Sequence, residues 1–260
     1  MLNKHQVILI FAAILLTVLL YFGFGRVPKE AMNTKPSGEN DKSEMVLLSA
    51  KEKARAELKK EQIDKLQILE KVLASTNNDS TKVETLKQLA AFWYEAGKAE
   101  VSGYYAEKIS DILNDKEALQ ITGTTYRIAI VSSKDENIKD ICSQKASKAF
   151  EKAIAIDSSN VNYQMQLAMV FVDRPLQDNP MKGILMLRDL NAKYPDNVDV
   201  IVQLGKLAIQ TGQFDKAIER FKKATVLSPE TPSIFCLLAE AYNGKGDKAN
   251  ADLAIRNCKK

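Results

Sequence analysis

The sequence predicts an all-α protein built as a solenoid of about five helix pairs, preceded by a transmembrane helix and a capping helix. Three features of the 260 residues carry this prediction. Apolar residues recur at helical spacing over most of the chain, and no long stretch shows the alternation that marks a strand. Small and large apolar residues return in the same order about every 34 residues. A long apolar run near the N-terminus adds one further helix.

The apolar run lies between His5 and Gly25, where the chain contains no Lys, Arg, Asp or Glu. As a helix it would be roughly 30 Å long, which matches the hydrocarbon core of a bilayer. A cleaved signal peptide would have a shorter apolar region that ends in small residues, whereas this one ends in Tyr-Phe-Gly-Phe-Gly. We therefore predict that residues 1–26 are an uncleaved transmembrane signal anchor, with membrane contact through residues 5–25.

The basic residues around this run do not fix its orientation. Lys4 precedes it, and Arg26, Lys29, Lys35 and Lys42 follow it. Counted alone, these charges would keep the large domain in the cytoplasm, but long domains translocate largely regardless of charge. A short tail before a large domain is typical of a signal anchor. We expect a single-pass protein of the bacterial cytoplasmic (inner) membrane with its soluble domain in the periplasm.

The anchor is followed by a polar segment and then by helical periodicity. Residues 27–43 contain two prolines and a glycine and are predicted to form a flexible linker. Residues 44–260 form the predicted helical domain, in which residues 44–74 are an N-terminal helix that caps the repeats over residues 82–258.

Composition excludes several classes of function. The formal net charge is +4, and residues 27–260 hold 35 basic against 33 acidic residues, which is too small a basic excess for nucleic-acid binding to be expected. His5 is the only histidine, which excludes Ser-His-Asp and Cys-His catalysis and histidine-bound zinc. The sequence contains neither the phosphate-binding motif GxxxxGK[ST] nor the dinucleotide-binding motif GxGxxG. The sequence predicts no enzyme activity, no cofactor, no metal and no small-molecule substrate.

Two small clusters contain residues that can form sites. Asp135, Glu136 and Asp140 could bind a cation, but charged residues in a loop are more commonly solvated. Cys236 and Cys258 fall in the last predicted helix pair and could approach each other. Buried free thiols are the favoured interpretation, since cysteine packs as a small apolar residue, and a disulfide remains open.

The clearest repeat runs from Val198 to Pro229. Small residues recur where two antiparallel helices would cross, large apolar residues fill the gaps beside them, and a glycine stands where the chain would turn. In order, these residues are Leu204, Gly205, Ala208, Gly212, Phe214, Ala217, Phe221, Ala224 and Pro229. This order resembles the tetratricopeptide repeat, with Ala208 in place of the tyrosine of the first helix.

The same template recurs before and after this segment. The resemblance implies a right-handed α-solenoid of the tetratricopeptide type with about five helix pairs. Two pairs carry insertions, of about eleven residues within 132–144 and about three residues around Pro175 and Pro180, which we assign to loops between helices.

The resemblance also implies a binding site. In this family, the first helices of the pairs line a concave groove that holds a peptide or a partner protein. Carried over by position, the groove residues are Lys87, Ala91, Tyr94, Gln120, Thr124, Arg127, Met165, Met169, Val172, Val202, Lys206, Ile209, Gln210, Cys236, Glu240 and Asn243. For Met165 and Met169, a role as ordinary core residues is an equally good interpretation. Ala91 stands where chaperone-binding members need asparagine, so that class of partner is not supported.

These observations predict a membrane-tethered, non-catalytic scaffold or adaptor that binds a protein or peptide partner. An alternative is a subunit similar to the membrane-anchored tetratricopeptide proteins of cytochrome c maturation, which present apoprotein to an assembly complex; this rests on analogy of fold. A third possibility is an enzyme with an unrecognised site, whose mark would be a deep pocket with convergent ionisable groups.

Overall fold

The computed structural model describes residues 37–259, with side chains from residue 42 onward. The chain divides after Glu44 into two units, and of the first unit the structure describes residues 37–44. The predicted anchor and the first part of the predicted linker lie outside the described residues. Among residues 37–259, no helix combines the length and the apolar character that crossing a membrane requires.

The described part of the chain consists of helices without a strand, so the all-α prediction is confirmed for residues 37–259. Each helix from α2 onward packs on its neighbour in sequence. The helices are α1 (Ser37–Ala56), α2 (Lys60–Ser75), α3 (Asp79–Glu95), α4 (Ala99–Leu113), α5 (Lys116–Ser132), α6 (Glu136–Ile156), α7 (Val161–Asp173), α8 (Lys182–Lys193), α9 (Val198–Gln210), α10 (Phe214–Leu227), α11 (Pro232–Lys245) and α12 (Lys248–Cys258).

The predicted pairs are α3–α4, α5–α6, α7–α8, α9–α10 and α11–α12. In four of these pairs, the residue before the first helix caps it: its side chain accepts a hydrogen bond from a free backbone N–H of the first turn. Such a cap stabilises a helix by about 1 kcal/mol. These caps are Asn78, Asp115, Asn160 and Asn197. Between paired helices, Gly212 and Gly246 adopt φ angles of 70° and 85°, which glycine reaches without strain.

Within a pair, the helices cross at glycines that face aromatic rings. A Cβ atom at Gly205 of α9 would lie 2.6 Å from the ring of Phe221 on α10. At Gly123 of α5, it would lie 2.7 Å from the ring of Phe150 on α6. Both rings are fully buried. The small residues identified in the sequence therefore allow the close approach that buries the rings.

The insertion predicted within residues 132–144 does not form a loop, which corrects the sequence analysis. The turn between α5 and α6 is confined to Ser133–Asp135, and the additional residues give α6 a length of 21 residues. The reason is that Ile141 and Cys142 continue the apolar face of the helix and are buried. The other insertion does form an enlarged loop, between α7 and α8.

The N-terminal helix is also corrected. The predicted helix 44–74 is two helices, α1 and α2, and α1 begins at Ser37, inside the predicted linker. The break places Ala54 and Leu66 in one buried cluster, which a continuous helix would separate. Lys51 and Arg55 of α1 reach the same carboxylate on α2, that of Glu70, at 2.8 and 2.9 Å.

The Cys236–Cys258 pair is a third correction. The sequence favours two free, buried thiols. In the structure Cys236 is exposed and forms a disulfide with Cys258, with the Cα atoms 4.9 Å apart. The bond closes a loop with a sequence separation of 22 residues, which stabilises by about 3 kcal/mol on the chain-entropy estimate. The disulfide links α12 to α11 covalently, and in α12 only Ala251 and Ala254 are buried.

The crossing at Gly205 can be tested by substitution. Gly205→Ala should lower the free energy of unfolding by about 1–2 kcal/mol, because overpacking against Phe221 outweighs the gain in helix propensity. Urea unfolding followed by circular dichroism measures this. Lys206→Ala, at the exposed neighbouring position, is the matched control and should change stability by less than about 0.5 kcal/mol. A Gly205→Ala protein as stable as the parent would show that the crossing is looser than described.

The link between α1 and α2 predicts a dependence on pH. Burial raises the pKa of the Glu70 carboxyl, but hydrogen bonds and charge from Lys51 and Arg55 outweigh burial and hold this pKa below its ordinary value. The stabilisation from Glu70 is therefore complete above the ordinary glutamate pKa and is lost as pH falls through the lowered value.

The difference in unfolding free energy between the parent and Glu70→Gln should accordingly shrink between pH 7 and pH 3. Urea titrations at each pH measure it, with Glu61→Gln on the same helix as the control. A difference that stays constant over this range would contradict the assignment.

Candidate functional site

A cavity of about 460 Å³ lies between the first two helix pairs. Its walls are Ala91 and Tyr94 of α3 together with Ile121 and Thr125 of α5, and Ala106 of α4 lies beneath them. We call this surface the α3–α5 groove. Small residues, among them Ala91, Ala106 and Ala118, leave space between α3 and α5, and Tyr94 and Ile121 stand beside that space.

The α3–α5 groove is mainly apolar and accessible to solvent. Tyr94 and Ile121 expose 53% and 61% of their surface, and Leu113 exposes 44% at the edge. Exposed apolar residues that adjoin one another are typical of an interaction site. The ionisable side chains that line the groove are Lys87, Asp115 and Glu117.

The apolar surface continues along α5 into a second cavity of about 280 Å³, lined by Thr124, Arg127, Ile128 and Val131. Val131 is 70% exposed. The side chains of Ile121, Ile128 and Val131 thus give α5 an apolar stripe toward solvent in addition to its buried face.

An ion pair connects α5 to α7 at this second cavity. The Nε atom of Arg127 lies 2.5 Å from Asp173 Oδ2, and its Nη1 atom donates to Gln166 at 2.9 Å. Burial raises the pKa of the Asp173 carboxyl, although Arg127 acts in the opposite direction. Arg127 is therefore engaged in a bridge between helices.

The structure brings together some of the groove residues that the sequence predicted. Lys87, Ala91 and Tyr94 line the α3–α5 groove, and Thr124 and Arg127 line the second cavity. Gln120 is half-buried and lines neither of these two cavities.

Ile121 and Thr125 were missed because the template was carried over in a register one residue off on α5. The sequence contains the signal, since Ala118, Ile121 and Thr125 follow helical spacing on one face of α5.

The expectation that Met165 and Met169 face a groove is wrong. Their exposed fractions are 4% and 7%, and they pack with Leu187, Val200 and Leu204. α7 contacts α8 and shares this core with α9, so its first-helix face is covered by protein. The core interpretation, weighed equally from the sequence, is the correct one.

The remaining predicted positions lie on α9 and α11. Lys206, Gln210 and Asn243 are exposed, and they line neither cavity described above. Cys236 is committed to the disulfide.

The acidic cluster considered for a cation is used in ion pairing. Arg174 donates to Asp140 at 2.7 Å and also to Glu136, and Lys139 binds Glu136 at 2.7 Å. Hydrogen bonds from Lys139 and Arg174 lower the pKa of Glu136. Within residues 37–259, no group of His, Cys, Asp or Glu is arranged to hold a metal ion.

Fold and site together define a class: a helical-repeat protein with an open, apolar groove of the kind that binds other proteins. Residues 205–246, which extend from α9 to α11, match the model of the TPR repeat family. The repeat identified in the sequence is thereby confirmed for this part of the chain.

Solved structures of MamA align with this chain at low similarity. One crystal structure of MamA is 19% identical, with 68% of this chain and 89% of that chain aligned and a TM-score of 0.41. MamA 41-end from Desulfovibrio magneticus RS-1 is 18% identical, with 68% and 93% aligned and a TM-score of 0.42. No curated protein matches the sequence.

Proposed function

We propose that this protein is a membrane-tethered, non-catalytic scaffold that binds a protein or peptide partner in the α3–α5 groove. The observation that carries the proposal is the apolar cavity of about 460 Å³ with Tyr94 and Ile121 exposed beside it. Burying one large apolar side chain stabilises a complex by about 1.5–3 kcal/mol. A partner that covers both residues would gain that stabilisation, and the isolated chain does not.

The chemistry of the lining supports a binding role over catalysis. An active site needs a nucleophile, acid or base held beside an electrophilic or oxyanion-stabilising group. In the α3–α5 groove the two carboxylates, Asp115 and Glu117, lie at the start of α5, and Asp115 is occupied as a cap that accepts the N–H of Ala118. The floor consists of alanine and other apolar residues.

The sequence supports the membrane tether, and a disulfide bond supports a periplasmic location of the helical domain. The apolar run of residues 5–25 has the length of a transmembrane helix. The Cys236–Cys258 disulfide is a bond that persists in oxidising compartments and is rare in the bacterial cytoplasm. The apolar run thus supports the tether, and the disulfide supports a domain outside the cytoplasmic membrane.

Groove binding can be tested by photo-crosslinking in cells. A benzophenone amino acid at Tyr94 should form an adduct with a defined partner, and Ile121→Asp in the same chain should weaken it at least tenfold, because a charge replaces the apolar wall. The control carries the same probe at Val226, which is 80% exposed on α10. Equal adducts from both positions, or adducts that persist with Ile121→Asp, would contradict the proposal.

The compartment can be tested by counting thiols. Cells are quenched in acid, denatured and treated with a polyethylene-glycol maleimide, which adds one mass tag per free thiol. The full chain should take a single tag, at Cys142, and a variant without residues 5–25 should take a tag at each of its three cysteines. Three tags on the full chain would place the domain in a reducing compartment.

A further inference from the structure

One end of the α3–α5 groove is acidic. A third cavity, of about 480 Å³, adjoins the groove and shares Lys87 and Leu113 with it. The carboxylates that line the two cavities are those of Asp79, Glu84, Asp115 and Glu117, and Lys87 is the single cation among the lining residues.

Three of these carboxylates form no salt bridge within residues 37–259. Asp79, Glu84 and Glu117 make no ion pair with any residue in the described part of the chain, and the amide of Gln88 donates to Glu84 at 3.3 Å. Lys116, the neighbour of Glu117 on α5, forms its ion pair with Asp157 at 3.0 Å. The acidic end is therefore available to a cation from outside.

The carboxylates are confined to one end of the groove, and the exposed apolar side chains of α5 extend away from that end. The carboxylates lie in or just before the first two turns of α3 and α5, whereas the apolar side chains follow further along, from Ile121 to Val131 on α5. These eleven positions of helix span about 15 Å, the length of about five extended residues. The Arg127–Asp173 bridge joins α5 to α7 beside this stripe.

We propose that the α3–α5 groove binds a linear segment of a partner protein in which a stretch of about five residues with large apolar side chains is flanked on one side by lysine or arginine. The apolar side chains of the partner segment cover Tyr94, Ile121 and Ile128, and its basic residues face Glu84 and Glu117. This inference rests on the proposed function and specifies the chemistry of the partner. The charges act mainly on selectivity and on the rate of association, because the pairs lie at a solvated rim.

The test uses the full chain in lipid nanodiscs and a displayed library of random dodecapeptides. Peptides are selected on the parent protein and counter-selected on Ile121→Asp. The recovered peptides should combine large apolar residues with a net positive charge. Binding of the best synthetic peptide, measured by fluorescence anisotropy, should weaken about tenfold in Glu84→Gln/Glu117→Gln. The control Glu151→Gln/Glu219→Gln removes the same charge from exposed positions elsewhere and should leave binding within twofold.

Each outcome separates this inference from the proposed function. Peptides that require Ile121 but are acidic or uncharged, or that are indifferent to the double substitution at Glu84 and Glu117, would overturn the inference and leave groove binding intact. Peptides that bind Ile121→Asp equally, or no enrichment over Ile121→Asp, would overturn both. If sedimentation shows self-association that Ile121→Asp abolishes, a second copy fills the groove and the inference is wrong.

Discussion

Close approach of helices at residues without a side chain is the constraint on which the rest of the structure depends. At Gly123 and Gly205 a ring from the paired helix occupies the space that a Cβ would need. The same arrangement joins consecutive pairs, since a Cβ at Gly103 of α4 would lie 2.6 Å from the ring of Tyr126 on α5. Contact between a glycine and an aromatic ring thus sets the distance between helices both within a pair and between consecutive pairs. Interiors packed to this density tolerate little change in volume.

The α3–α5 groove follows from how these helices distribute their apolar residues. α3 buries Leu86, Leu89 and Trp93 and still presents Tyr94 to solvent, and α5 presents Ile121 beside its own buried face. A helix with two apolar faces needs a second surface to cover it. In α7 that second face is covered by protein, through Met165 and Met169. The groove is accordingly a local property of the first two pairs, and a shared repeat does not guarantee a shared site.

The repeat could be predicted from the sequence because its signal is local: glycine and alanine at helical spacing directly encode helix contacts, and residues 205–246 carry the pattern almost unchanged. The break between α1 and α2 could not, because no proline or glycine marks it and it depends on Glu70 and Leu66, which lie further along the chain. Burial of Met165 depends in the same way on neighbouring pairs. The sequence predicts groove residues on the first helices of all five pairs, whereas the α3–α5 groove lies between the first two pairs, and a one-residue register on α5 decides which side chains line it.

The two ends of the array are held by different interactions, and this bears on where function can fail. α12 buries little more than Ala251 and Ala254, so the Cys236–Cys258 bond supplies stability there that packing does not. At the other end, α1 and α2 are joined across Glu70 by two cations and share a buried cluster. In repeat arrays each unit is stabilised mainly by its neighbours. Reduction of the disulfide should therefore loosen the last pair and leave the packing around Tyr94 and Ile121 unchanged. The capacity of the groove to bind a partner then does not depend on the redox state of the compartment.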